Sequence, residues 1–213
     1  MTSPRSRTPL VIAIVLAVVA VVAIAAVVLT SGGDGDDAAT DGPVFGAVTV
    51  EGDPLPEGQY PDDPSVGTTV PTLRGTDYDG DETAIVPGAE GPLMIVVMAH
   101  WCPHCNDEVP LLVEWGESGD VPEGLQVVGV STAAREGAEH FPPGPWIDEL
   151  GWEWPVLADD EAQSAAAAVG TTGYPYMLFV AADGTVQAHV SGEQPIEVVQ
   201  QLADDAAATA TAA

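Results

Sequence analysis

Residues 10–29 read LVIAIVLAVVAVVAIAAVVL, an apolar stretch with no polar side chain in it. At about 1.5 Å of rise per residue, a helix of this length crosses the roughly 30 Å hydrocarbon core of a bilayer. The pattern predicts one N-terminal transmembrane helix preceded by a short segment, residues 1–9. The alternative is a cleaved secretory signal, whose apolar part runs about 7–15 residues and ends at a small-x-small site. Here Ala23, Ala25 and Ala26 lie inside the run, and no cysteine stands near its end, so a lipid-modified cysteine anchor is excluded. Residues 30–65 are rich in Gly, Asp and Pro and read as a flexible tether, with a possible short strand where residues 44–51 alternate.

A different pattern sets in over residues 66–206. Residues 72–83 suggest a hairpin turning at Asp77-Tyr78-Asp79-Gly80. Residues 92–99 are a continuous apolar run of strand length, expected to be buried on both faces, and residues 125–130 read as a second buried strand. Between them Val109, Leu112, Val113 and Trp115 recur at helical spacing, ending at Gly116 or Gly119. A short helix is expected over residues 146–151, opened by Pro145, then a short strand at 156–157 and an Ala-rich helix over 161–169. Residues 176–180 and 185–190 form a second hairpin around Ala181-Ala182-Asp183-Gly184. Ile196, Val199, Leu202 and Ala206 space a last helix before a disordered tail, residues 207–213. Strands alternating with helices and closing on a hairpin plus helix predict an α/β domain, a mixed central sheet flanked by helices on both faces.

Charge adds a compartment to this picture. The chain has 33 Asp and Glu against 4 Lys and Arg, a formal net charge of -29. Arg5 and Arg7 precede the apolar run, and only Arg74 and Arg135 follow it. The positive-inside rule then keeps the N-terminus cytoplasmic and puts the domain outside the cell membrane, in an oxidising compartment. So acidic a surface repels phosphate backbones, which excludes nucleic-acid binding. The acids are scattered, as on a solvated, aggregation-resistant surface.

The two cysteines stand three apart in Trp101-Cys102-Pro103-His104-Cys105, where the first long helix follows the first buried strand. Pro103 suits the first helical turn, where its missing N–H is no loss. Cys102 then lies where unpaired helix N–H groups point, which favours the thiolate. Cys102 is the natural nucleophile toward a disulfide, Cys105 the resolving thiol, and His104 a partly positive neighbour. Two other readings stay open. A disulfide closing so short a loop is a poor staple, and a metal site would draw on Cys102, Cys105, His100 and His104 without the usual second ligand pair. Covalent haem needs His directly after the second cysteine, where this chain has Asn106. No cofactor is implied.

With these residues placed, the chain resembles the thioredoxin-like superfamily and, within it, the membrane-anchored TlpA-type thiol–disulfide oxidoreductases. The resemblance rests on residues 99–111 (AHWCPHCNDEVPL) and 170–180 (GTTGYPYMLFV) followed by Asp183-Gly184. It implies a thioredoxin-like fold and disulfide exchange with exported proteins, reset by a membrane or extracytoplasmic redox partner. It also implies a cis Tyr174–Pro175 bond facing the cysteines, with Trp101, Tyr174 and Pro175 meeting the substrate; for Tyr174 the alternative is core packing. Glu108 matches the acidic residue that TlpA-type proteins hold near the pair, a proton shuttle for Cys105; the alternative is a helix-surface carboxylate. Pro110 matches the helix-kinking proline of thioredoxins. Two departures matter. Thioredoxins carry a buried Asp where this chain has Val96, and Pro103-His104 is the dipeptide of DsbA-type oxidants, whereas many TlpA-type reductants differ there. Oxidant and reductant both remain open, as does a thioredoxin-like module that delivers metal through the cysteines and His104.

Overall fold

The computed structural model describes residues 43–57 and 64–208. The apolar run at 10–29 and the last five residues of the tail lie outside them. Among the described residues no helix is long and apolar enough to cross a membrane.

Eight strands among the described residues form one mixed sheet: β1 Thr49–Glu51, β2 Thr72–Thr76, β3 Glu82–Ile85, β4 Leu93–Met98, β5 Gln126–Ser131, β6 Val156–Ala158, β7 Tyr176–Val180 and β8 Val186–Ser191. Their order is β1-β2-β6-β5-β4-β7-β8, with β3 paired to β2. The helices among the described residues are α1 Pro103–Ser118, α2 Pro143–Glu149, α3 Ser164–Ala168 and α4 Ile196–Ala208. β4 runs parallel to β5 (Ile95 opposite Val128) and antiparallel to β7 (Ile95 opposite Leu178). Flanked on both edges and covered on both faces, all six β4 residues are buried, which is why its sequence lacks alternation.

Successive β4 side chains feed two separate cores. Met94, Val96 and Met98 meet Val109, Leu112 and Trp115 of α1, Trp146 of α2, and Val199, Leu202 and Ala206 of α4. Leu93, Ile95 and Val97 meet Leu73, Ile85, Leu157, Tyr176 and the alanines of α3 on the other face. Tertiary hydrogen bonds tie α1 to its neighbours: Trp115 Nε1 donates to Gln200 Oε1 at 2.6 Å. The expected mixed sheet with helices on both faces is thus the observed one.

Several boundaries move, for identifiable reasons. α2 opens at Pro143, earlier than Pro145, because Pro in a first turn gives up no helical hydrogen bond. The Ala-rich helix begins at Ser164 and not near 161, because Asp159 Oδ1 and Oδ2 accept the N–H groups of Ala165 (2.8 Å) and Ala166 (3.1 Å), while Gln163 is left-handed at φ 61°. Part of the segment read as tether is packed: β1 pairs with β2, and Leu55 is buried, its N–H bonded to Ala168 O at 2.9 Å. Gly170, at φ 74°, is required here, since a Cβ would stand 2.5 Å from Pro56 O. α4 continues through Ala208, into the residues expected to open the tail.

Candidate active site

β4 delivers the chain to its C-terminal end at the middle of the sheet, and α1 starts at Pro103, directly after a turn closed by the Cys102 N–H to Ala99 O at 3.0 Å. Cys102 is the N-cap residue, in extended conformation, and Pro103 opens the helix. No acidic side chain occupies its first turn to oppose a thiolate there. Both cysteines are free thiols. Cys102 is 6% exposed and Cys105 is fully buried, so an incoming partner meets Cys102 first.

The Tyr174–Pro175 peptide bond is cis, and the Tyr174 carbonyl accepts from Cys102 Sγ at 3.5 Å. The two sequence pieces that carry the resemblance therefore face one another. Tyr174 is half-buried: its ring meets Trp101 edge-on at 6.0 Å, and its hydroxyl donates to Gln163 Oε1 at 3.0 Å. Burial pushes its phenol up.

Cys105 Sγ accepts the Ala99 N–H at 3.5 Å. Burial pushes this thiol well above the ordinary range; the Ala99 N–H pulls it back, while Cys102 and the Glu108 charge raise it further. Glu108 lies one turn deeper in α1, and its side chain is buried, not on the helix surface. Its Oε2 accepts the Gln194 N–H at 3.2 Å, and its Oε1 has no partner among the described residues. Burial lifts this carboxyl to about 6, against the pull of the Gln194 N–H and with a push from Glu193. Val96, where thioredoxins have the acid, is packed in the core. Glu108 is thus the buried acid beside Cys105.

His104 points away from the core, exposed, and its Nδ1 pairs with Glu193 Oε1 in the turn after β8. That turn, Gly192 to Pro195, holds both His104 and Glu108. His100, considered above as a metal ligand, is fully buried and committed to a loop: its Nδ1 donates to Glu139 O at 2.7 Å and its Nε2 accepts the Arg135 N–H at 3.0 Å. Burial lowers its proton affinity, in keeping with this neutral role. Among the described residues no three His, Cys, Asp or Glu stand as a metal-binding group.

Sequence reasoning missed Asn106. From one helical turn after Cys102, its Nδ2 donates to Cys102 O (2.9 Å) and His100 O (3.0 Å), and its Oδ1 accepts from Trp146 Nε1 (2.8 Å). It fixes the turn carrying the cysteines and locks it to α2. Trp101 is held similarly, donating from Nε1 to Ala133 O at 2.7 Å, with the Arg135 guanidinium 3.4 Å from its ring centroid. Nothing local in the sequence marks these partners.

A Cys-x-x-Cys opening the helix after a central strand, opposed by a proline loop before an antiparallel strand, defines a thioredoxin-like domain. The chain belongs to the AhpC/TSA family, whose model matches residues 66–189. Solved structures share the fold at low identity. A putative thioredoxin from Neisseria meningitidis is 19% identical over 68% of this chain and 93% of its own, with a TM-score of 0.55. A thiol:disulfide interchange protein of the thioredoxin family from Chlorobium tepidum TLS is 21% identical over 65% and 95%, at 0.54. A secreted Mycobacterium tuberculosis disulfide oxidoreductase homologous to E. coli DsbE is 20% identical over 62% and 94%, at 0.52.

Proposed function

We propose that this protein is a TlpA-type thiol–disulfide oxidoreductase that exchanges disulfides with exported polypeptides through Cys102 and Cys105. The observation that carries the proposal is the graded burial of the pair. Cys102 is capped by a helix start and turned to the Tyr174 carbonyl, while Cys105 is sealed beneath it next to a buried carboxyl.

In the reductive direction the Cys102 thiolate attacks one sulfur of a substrate disulfide, forming a mixed disulfide as the other substrate sulfur leaves and takes up a proton. Glu108, with a carboxyl near 6, accepts the proton of the Cys105 thiol. Cys105 then attacks Cys102 Sγ, the second substrate thiol departs, and the pair ends as a disulfide, two electrons having passed to the substrate. The oxidative direction is the reverse sequence, begun by a substrate thiolate at Cys102. Trp101, Tyr174 and Pro175 line the approach, and a membrane or extracytoplasmic redox partner resets the pair. The apolar residues 10–29, with Arg5 and Arg7 before them, support an anchor with its N-terminus in the cytoplasm and the domain outside. The metal-delivery alternative gains no support, since His100 and His104 are each engaged elsewhere.

Cys102→Ser is expected to abolish reduction of insulin disulfides and oxidation of thiols, and Cys105→Ser to accumulate mixed disulfides through Cys102. Full activity in Cys102→Ser would end the proposal. His104 between the cysteines favours the oxidising half of the thioredoxin-like range; a reduction potential below about -250 mV against glutathione would contradict that part.

A further inference from the structure

The catalytic reading leaves one feature beside Cys102 unused, the guanidinium of Arg135. The chain has four basic side chains of the Lys and Arg type, and the two in the described residues differ in status. Arg74 is paired with Glu51 at 3.1 Å, far from the cysteines. Arg135 has no ion pair among the described residues, although Glu136 and Glu139 share its loop. It is exposed, and its guanidinium carbon stands over the ring of Trp101, the residue before Cys102, 3.4 Å from the centroid, a separation that only face-to-face stacking allows. It is also close enough to Tyr174 for its charge to act on the phenol.

Nor is this position left to a flexible loop. The Arg135 N–H is held by buried His100, the Ala133 carbonyl by Trp101 Nε1, and the Glu139 carbonyl by the other nitrogen of His100. Three bonds fix residues 133–139 against the motif. A guanidinium stacked by its face on an indole keeps its N–H edges outward, in the fork geometry that takes a carboxylate with two hydrogen bonds. On a surface of formal net charge -29, an acidic polypeptide is repelled nearly everywhere. The rim of the candidate active site carries an unpaired cation.

The geometry points to Arg135 as a specificity-determining residue that receives a carboxylate of the substrate, from an Asp or Glu flanking the cysteine under exchange. This rests on the disulfide-exchange reading above and specifies its substrate class. It makes acidic segments preferred partners of an acidic protein, provided that the charge lies beside the reacting sulfur.

The test uses the full chain and a set of peptide disulfides carrying Glu, Gln or Lys at the positions flanking one half-cystine, with kcat/KM measured for each. The wild type is expected to favour the best-placed Glu peptide over its Gln counterpart roughly fivefold, as for one charge-assisted contact at an exposed site. Arg135→Gln is expected to bring that ratio close to one, and Arg135→Lys to keep part of it. A ratio near one in the wild type, or a preference that survives Arg135→Gln, overturns the assignment. So does equal slowing of all peptides with the ratio preserved, which would make Arg135 a support for Trp101. Loss of a ratio within one preparation does not depend on how much of a variant is folded. Failure of the wild type to exchange with any peptide would instead remove the catalytic reading on which the assignment stands.

Discussion

Replacing Glu108 by Gln tests the buried acid directly, because the two side chains match in shape and only one ionises. Burial raises the Glu108 carboxyl from an ordinary 4.5 to about 6. Below 4.5 the group is neutral in both folded and unfolded chains and has no effect. Between 4.5 and 6 the unfolded chain releases the proton while the fold retains it, so stability falls as pH rises. Above 6 both states are ionised, and the fold carries the full deficit, about 2 kcal/mol at about 1.4 kcal/mol per pH unit. Measured against the ionised group, the protonated carboxyl thus stabilises the fold in full below 4.5, and that advantage is lost as pH climbs through 6. Glu108→Gln removes that dependence and still offers an oxygen to the Gln194 N–H. Because the sequence pI is about 4.1, solubility restricts the comparison to about pH 5 and above, where about 1.2 kcal/mol of the difference remains up to about pH 7.5. Urea unfolding of the reduced protein at those two pH values should show the variant gaining that much on the wild type. Single-turnover resolution of the mixed disulfide should lose its inflection near 6. Equal pH dependence in the two proteins, within about 0.3 kcal/mol, would refute the buried-acid reasoning.

Asn106→Ala removes three hydrogen bonds and strands the Trp146 indole N–H, on a side chain only 2% exposed. We expect a loss of about 2–3 kcal/mol in denaturant unfolding; a change below about 0.5 kcal/mol would show that the motif turn holds itself. Gly116→Ala would normally help a helix by about 1 kcal/mol, but the new Cβ would stand 2.5 Å from Trp154 Cζ2. Overpacking of about 1–3 kcal/mol should outweigh that gain and lower the melting temperature, whereas a higher one would show that the indole swings aside freely.

Much of the architecture was legible because it is local. The unbroken apolar runs of β4 and β7, and the Val-rich centre of β5, identify strands enclosed on both faces, and Pro103 and Gly119 mark the start and stop of α1. Cys102 as N-cap follows from the same signals. The start of α3 differs from the expected 161 because its position depends on Asp159, itself held by Thr132 from another strand's end. Within residues 30–65 the alternation of 44–51 does mark the short strand β1, but Pro, Gly and Asp report only local conformation and do not show the packing around Leu55. Leu55 is ordered by burial against α3, a distant element.

The same division runs through the candidate site. The sequence by itself determined the reactive pair and its place at a helix start, since spacing and turn chemistry are enough to specify them, whereas Pro175 facing the pair follows from the family resemblance of residues 170–180. Only tertiary structure decided the electrostatics. Glu108 is an acid of raised affinity because the turn after β8, eighty-six residues away, covers it, and the same turn brings Glu193 to His104. Arg135 lies on Trp101 because buried His100 ties down its loop. Desolvation and charge pairing depend on what folds over a group, and that is set by chain crossings which no local pattern encodes.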